Sequence, residues 1–259
     1  MRFKPLPSTI TLFLILFLHA NLHAQVNTER FRIAADSLGF SVRSDLNFTL
    51  MAGNSDFQYM GTNTRFNYNW GTDYTFLVTN GGYGKNSGKS FFSQSLLHLR
   101  NVNSLNDILQ IETFLQYDNN KKLLLMHRGL VGAGTRLKII NREKLITRVG
   151  LSVFYEREEY DLPESAIHKV NDSHVRLSTY ITFTHTLNEN VSLLSTSYLQ
   201  PDLNESRDFR VLSDSALNVK LADNVALTTT LNMRRDSRPA DGIKKFDLTT
   251  RIGVSLAFE

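Results

Sequence analysis

The chain has no cysteine, a single tryptophan and only five prolines among its 259 residues. Without thiols there is no disulfide scaffold, no thiolate metal site and no lipid-anchored N-terminal cysteine. No stretch offers the ~18 uninterrupted apolar residues that a spanning helix requires, which excludes an α-helical membrane protein. Charge of one sign is scarce as well. Lys and Arg number 29 against 25 Asp and Glu, and the net +4 is spread along the chain. That is not the basic stripe of a nucleic-acid-binding surface, so no nucleic acid is expected as a partner. An apolar share of 41% is too high for a disordered chain and too low for a bundle of membrane helices.

The first residues read as an export signal. Arg2 and Lys4 form the positive region and Ile10 to Leu18 a short apolar core. Leu22-His23-Ala24 is a cleavage site, so residues 1–24 are expected to be removed after Ala24. Residues 25–39 have no strong period and are expected to be a periplasmic lead-in. A cysteine-free exported chain suits a bacterial envelope, where its stability must come from something other than disulfides.

From Phe40 to Glu259 the period is two. Val42, Leu46, Phe48 and Leu50 lie on one face, with Arg43, Asp45, Asn47 and Thr49 on the other. Alternation of this kind is a strand with one apolar and one polar face. Phe66, Tyr68 and Trp70 oppose Arg65 and Asn67, while Tyr74, Phe76 and Val78 are placed on the apolar face opposite Asp73, Thr75 and Thr79. Similar runs end with Phe246, Leu248, Ile252, Val254, Leu256 and Phe258 against Asp247, Thr249, Arg251 and Ser255. The segments near residues 90–100 and 193–200 alternate poorly, and residues 123–139 are ambiguous.

About twelve strands of ~10–13 residues result, close to the length a tilted strand needs to cross a bilayer. Soluble sandwiches use shorter strands, ~5–6 residues, and rarely carry Arg, Asp, Glu and Lys in nearly every one. Tight turns such as Asn141-Arg142-Glu143-Lys144 and Ala222-Asp223-Asn224 alternate with longer connections at residues 80–89, 158–173, 201–208 and 236–245. The expectation is an all-β, antiparallel, up-and-down transmembrane β-barrel with both termini periplasmic. Its surroundings would be outer-membrane lipids, with Phe57, Tyr59, Tyr68, Trp70, Tyr74, Tyr117, Tyr155 and Phe246 as interfacial girdles.

Motifs for chemistry fail on inspection. Gly81 to Ser90 approaches a phosphate-binding loop, but Tyr83 occupies the position that needs glycine and no helix follows. Gly129, Gly132 and Gly134 precede no helix either, and glycine within a strand marks a bend or a close backbone approach. The histidines His98, His127, His168, His174 and His185 form no pair at metal-ligand spacing. Ser152, Ser178 and Ser255 face inward, but nothing selects one as a nucleophile. No catalytic residue, metal or cofactor is expected.

Three stretches carry a family resemblance: Gly129 to Leu137, Gly150 to Glu158, and Arg235 to Asp247. Across residues 44–258 the chain resembles the outer-membrane family called domain of unknown function 481, whose members are often labelled salt-induced outer-membrane proteins. The resemblance implies an outer-membrane barrel and no catalytic residues. The last strand also resembles the signal read by the barrel-assembly machinery, with Phe258 as its terminal aromatic, although Glu259 follows it.

A barrel of this pattern encloses its charges. Arg43, Asp45, Arg65, Glu112, Arg136, Arg148, Glu156, Arg176, Arg210, Asp214, Arg234, Asp247 and Arg251 are expected to line the lumen. They would serve either as a small ion or solute path or as a paired network that fills a structural, stress-related barrel. Two competing readings are an outer-membrane hydrolase acting on lipid or surface polymer, and a soluble periplasmic β-protein.

Overall fold

A computed structural model describes residues 38–51 and 57–258. The expected signal segment lies outside these residues, as does the lead-in up to residue 37. Twelve strands follow one another: β1 Gly39–Met51, β2 Phe57–Asn69, β3 Tyr74–Asn86, β4 Lys89–Ser104, β5 Leu109–Asn120, β6 Leu125–Arg142, β7 Leu145–Tyr160, β8 Asn171–Asn188, β9 Val191–Pro201, β10 Phe209–Ala222, β11 Val225–Asp236 and β12 Phe246–Phe258. Each pairs antiparallel with its sequence neighbours, and β1 pairs with β12 to close the barrel. That ladder runs from Val42↔Phe258 to Leu46↔Val254. Closure matters because lipid cannot satisfy the hydrogen bonds of a free sheet edge.

Alternation decides which face meets what. Leu46, Phe48, Leu115, Val131, Val153, Ile181, Leu231 and Ile252 are exposed on the outer wall. Their neighbours in sequence, including Arg43, Asp45, Arg136, Glu156 and Thr182, are buried inside. A soluble β-protein would invert this arrangement, since water does not tolerate an apolar belt around the whole circumference.

One end of the barrel carries turns of two to four residues, at 70–73, 105–108, 143–144, 189–190 and 223–224. The first residue of β1 and the last of β12 lie at this turn end. The opposite, loop end carries the connections 161–170, 202–208 and 237–245, and a one-turn 3₁₀ helix at Lys121–Leu123. The 237–245 loop folds over the mouth, where Ala240 is buried with Leu125 and Tyr160, and Leu123, Leu162 and Ile243 pack around them.

Three expectations need correction. The long connection at residues 80–89 is a tight hairpin: β3 and β4 are joined by Ser87 and Gly88, both at positive φ. Two consecutive left-handed residues match the right-handed twist of the flanking strands, so glycine at 88 reflects the turn and not a flexible loop. The faces of β3 are also reversed. Tyr74, Phe76 and Val78 are buried inside with Leu96 and Val102, and Leu77 takes its place on the outer wall with Leu97 and Leu99. Finally, Tyr59 and Tyr74 point inward and belong to no girdle, whereas Tyr68, Trp70, Tyr117, Tyr155 and Phe246 are exposed as a girdle requires.

Candidate functional site: the charged lumen

Near the loop end, charge meets charge across the barrel. Arg176 on β8 donates its Nε to Glu156 on β7 at 2.6 Å and forks onto Asp208 at 3.2 and 3.0 Å. Arg210 on β10 reaches over to β7, bonding both oxygens of Glu156 at 3.0 and 3.1 Å and Glu158 at 2.9 Å. It also meets Asp236 on the adjacent β11 at 3.2 Å. Arg128 on β6 pairs with Asp118 at 3.0 Å and lies 3.8 Å from Glu158. Arg234 holds Asp236 at 2.6 Å and approaches Asp247 at 3.8 Å. Glu156 and Arg176 are almost wholly buried. Burying such ions costs several kcal/mol each, which only multiple short contacts of this kind offset.

Toward the turn end, the contacts of the arginines include neutral groups. Arg43 donates to Ser255 Oγ at 2.8 Å and to Asn218 Oδ1 at 3.0 Å, with Asp45 at 3.9 Å. Arg136 donates to the Tyr74 hydroxyl at 2.9 Å. The Arg65 guanidinium lies 3.5 Å from the centroid of the Phe76 ring, a desolvated cation on an aromatic face. Arg100 meets Glu112 at 3.3 Å, and the Tyr180 hydroxyl donates to the same carboxylate. Arg148 is buried on β7 in this half. At mid-depth Asn232 bridges Asp214 and Arg251.

Between the halves an aromatic arc lines one wall. Phe76, His98, Phe114 and Phe154 follow one another at centroid spacings of 6.2, 6.0 and 6.4 Å. Phe114 is on β5 and Phe154 on β7, so β6 must pass between them without a side chain. Gly132 provides that passage, because a Cβ there would collide with both rings' residues. Gly150 serves Tyr180 of β8 in the same way. The strand glycines thus mark close approach inside the barrel, one of the two roles that glycine in a strand suggests.

The lumen is therefore narrow. A cavity of about 60 Å³ at mid-depth is bounded by Arg100, Glu112, Phe114, Phe154 and Tyr180, and one of about 30 Å³ lies under the loop end beside Arg128, Glu158 and Asp236. Each admits only a few water molecules. Toward the turn end the interior widens to about 510 Å³ beside Tyr74, Gln110, Lys138 and Arg148.

Among the thirteen charged residues expected in the lumen, Arg43, Asp45, Arg65, Glu112, Arg136, Arg148, Glu156, Arg176, Arg210 and Asp214 are buried, while Arg234, Asp247 and Arg251 are half-buried. The expectation omitted Arg100, Arg128, Asp118, Glu158, Asp208 and Asp236. Asp208 lies in the connection between β9 and β10; for the others, which fall in poorly alternating segments or near strand ends, the continued register of the strands places them inside.

A closed antiparallel barrel with an apolar exterior and a charged interior defines the class, an outer-membrane β-barrel. A solved structure of the NanC porin is similar at 10% identity over 84% of this chain and 99% of that one, with a TM-score of 0.52. The translocator domain of autotransporter NalP from Neisseria meningitidis is 12% identical over 89% and 94%, with a TM-score of 0.48. The KdgM porin gives 9% identity over 85% and 99%, with a TM-score of 0.45. At such identities the likeness is one of fold. No curated protein matches the chain. The family model described as "Protein of unknown function, DUF481" matches residues 44–258, and the chain belongs to that family.

Proposed function

We propose that the protein is a non-catalytic barrel of the bacterial outer membrane that passes small ions through a narrow lumen. In this reading residues 1–24 direct export, and the strand ending at Phe258 engages the assembly machinery. The observation that carries the proposal is the set of side-chain bonds that cross the lumen, above all Arg210 of β10 to Glu156 and Glu158 of β7. Among the described residues the cavities beside these bonds are small, which suits hydrated or partly hydrated ions and not an open diffusion pore.

Reconstitution of the purified barrel in planar bilayers tests this. Small discrete current steps are expected. Absence of current at every voltage would reassign the barrel to a structural role, which the density of ion pairing near the loop end equally supports. A large voltage-independent conductance would contradict the proposal directly.

A further inference from the structure

At the edge of the lumen network, a compact group of metal-ligating side chains stands on the loop-end rim. His174 is on β8, and the 202–208 connection brings Asp202 and Asp208 against it. The loop is folded to present these groups. Asp202 Oδ1 accepts the backbone amides of Asn204 and Glu205 at 2.7 and 3.0 Å, leaving Oδ2 directed at the ring. The Asp202 amide in turn donates to the Asp208 carbonyl at 2.8 Å, so the two ends of the loop are tied together. Asp208 is oriented by the fork of Arg176, whose own charge is shared with Glu156.

The imidazole is unusual in its surroundings. Nδ1 lies 2.7 Å from Asp202 Oδ2 and 4.0 Å from Asp208 Oδ2, and Nε2 lies 3.3 Å from Asp172 Oδ2. A neutral ring has one N–H and one lone pair, so with carboxylates at both nitrogens one lone pair would face an anion. A proton on each nitrogen resolves this, and a metal ion bound at Nδ1 in place of that proton does so as well. The three ligand atoms, one nitrogen and two carboxylate oxygens, all lie within 4.8 Å of one another. With metal–ligand bonds of about 2.1 Å, the ligands of a tetrahedral ion lie about 3.4 Å apart, a distance that the 2.7 and 4.0 Å spacings around Nδ1 bracket.

We propose that His174, Asp202 and Asp208 form a site for a first-row divalent cation, with zinc as the best fit, that staples the 202–208 loop to the rim of β8. The nitrogen donor favours zinc over calcium and magnesium, which take oxygen ligands. Chain spacing concealed the group: 28 residues separate His174 from Asp202, and only the pairing of β8 with β9 brings them together.

Untagged, chelator-washed protein in detergent at pH 7.5 is titrated with ZnCl₂ by calorimetry. One ion per chain is expected, with no comparable uptake of CaCl₂. His174→Gln is expected to weaken zinc at least tenfold, on the order of the loss that follows damage to a metal's ligand shell, while keeping the heat-modifiable gel mobility of a folded barrel. Crystals of the wild-type protein soaked in zinc should show anomalous scattering bonded to the His174 ring, a readout that survives if the variant fails to fold. No stoichiometric uptake, equal uptake of calcium, unchanged affinity in the folded variant, or zinc seated elsewhere would each overturn the site.

Discussion

The two halves of the lumen enclose the same kinds of residue and solve their burial differently. Near the loop end the buried charged residues are Arg128, Arg176 and Arg210 with Asp118, Glu156, Glu158, Asp202, Asp208 and Asp236. Carboxylates outnumber arginines there, and each arginine is fixed by two or more of them. Near the turn end the buried charged residues among those described are Arg43, Arg65, Arg100, Arg136 and Arg148 with Asp45 and Glu112, and the contacts of these arginines include hydroxyl groups, an amide oxygen and a ring face. The loop-end half is thereby a cross-brace of ion pairs, and the turn-end half also sets arginine against hydroxyl, amide and ring groups. What differs among the described contacts is the kind of group each guanidinium meets.

Breaking the brace should produce the largest effect. Glu156→Gln leaves Arg176 and Arg210 buried with one full negative charge removed between them. Loss of one partner from such a pair costs about 3–5 kcal/mol, to be read as a lowered urea midpoint for the barrel in lipid vesicles. The same variant should raise single-channel conductance if current flows at all. Toward the turn end, Arg136→Gln loses a charged hydrogen bond to Tyr74. Such a bond is worth about 1.5–3 kcal/mol, so the urea midpoint should fall by less than in Glu156→Gln. Equal losses of stability in the two variants would erase the distinction between the halves.

The sequence made the barrel legible because period-two alternation is imposed by lipid on one side. Leu151 and Val153 outside, with Ser152 and Glu156 inside, leave little freedom. Legibility failed where the interior itself is apolar. Tyr74, Phe76 and Val78 are as greasy as any lipid-facing set, and only the position of Leu77 among Leu97 and Leu99 on the outer wall shows which way β3 faces. It failed again at the strand ends. Asp118, Glu158 and Asp236 sit where turn-forming residues cluster, yet the strands of this barrel run to 18 residues in β6 and β8 and carry their alternation past the expected boundary. Which lumen charges pair with which was never in the sequence. Arg210 and Glu156 are 54 residues apart on non-adjacent strands.

The aromatic arc separating the halves gives a third, steric test. At Gly132 a methyl group would meet the Phe114 ring at 2.5 Å and Phe154 Cβ at 2.6 Å. Overpacking of this kind costs typically 1–3 kcal/mol, so Gly132→Ala should lower the unfolding midpoint. Gly129→Ala, three positions away on the same strand, meets nothing within 4 Å and should be neutral. A neutral Gly132→Ala would mean that the two rings yield easily and that the arc is not a fixed partition.

The smallest effect should come from an ion pair outside the lumen altogether. Lys220 at the turn end of β10 lies 2.8 Å from Asp223, which is fully exposed in the following turn. The hydrogen bond and the charge of Lys220 hold the Asp223 carboxyl below its ordinary value. A carboxyl whose pKa is lower in the folded than in the unfolded chain stabilises above the unfolded value of about 3.9, and that contribution fades as the pH falls through the folded value. Water and salt screen this pair, unlike those around Glu156. Asp223→Asn should therefore leave the urea midpoint unchanged at pH 7. In a titration followed by carbon NMR of the carboxyl, the depressed pKa should relax toward the ordinary value in 1 M salt and in Lys220→Ala. A destabilisation approaching that of Glu156→Gln would show that burial is not what separates structural from incidental ion pairs in this barrel.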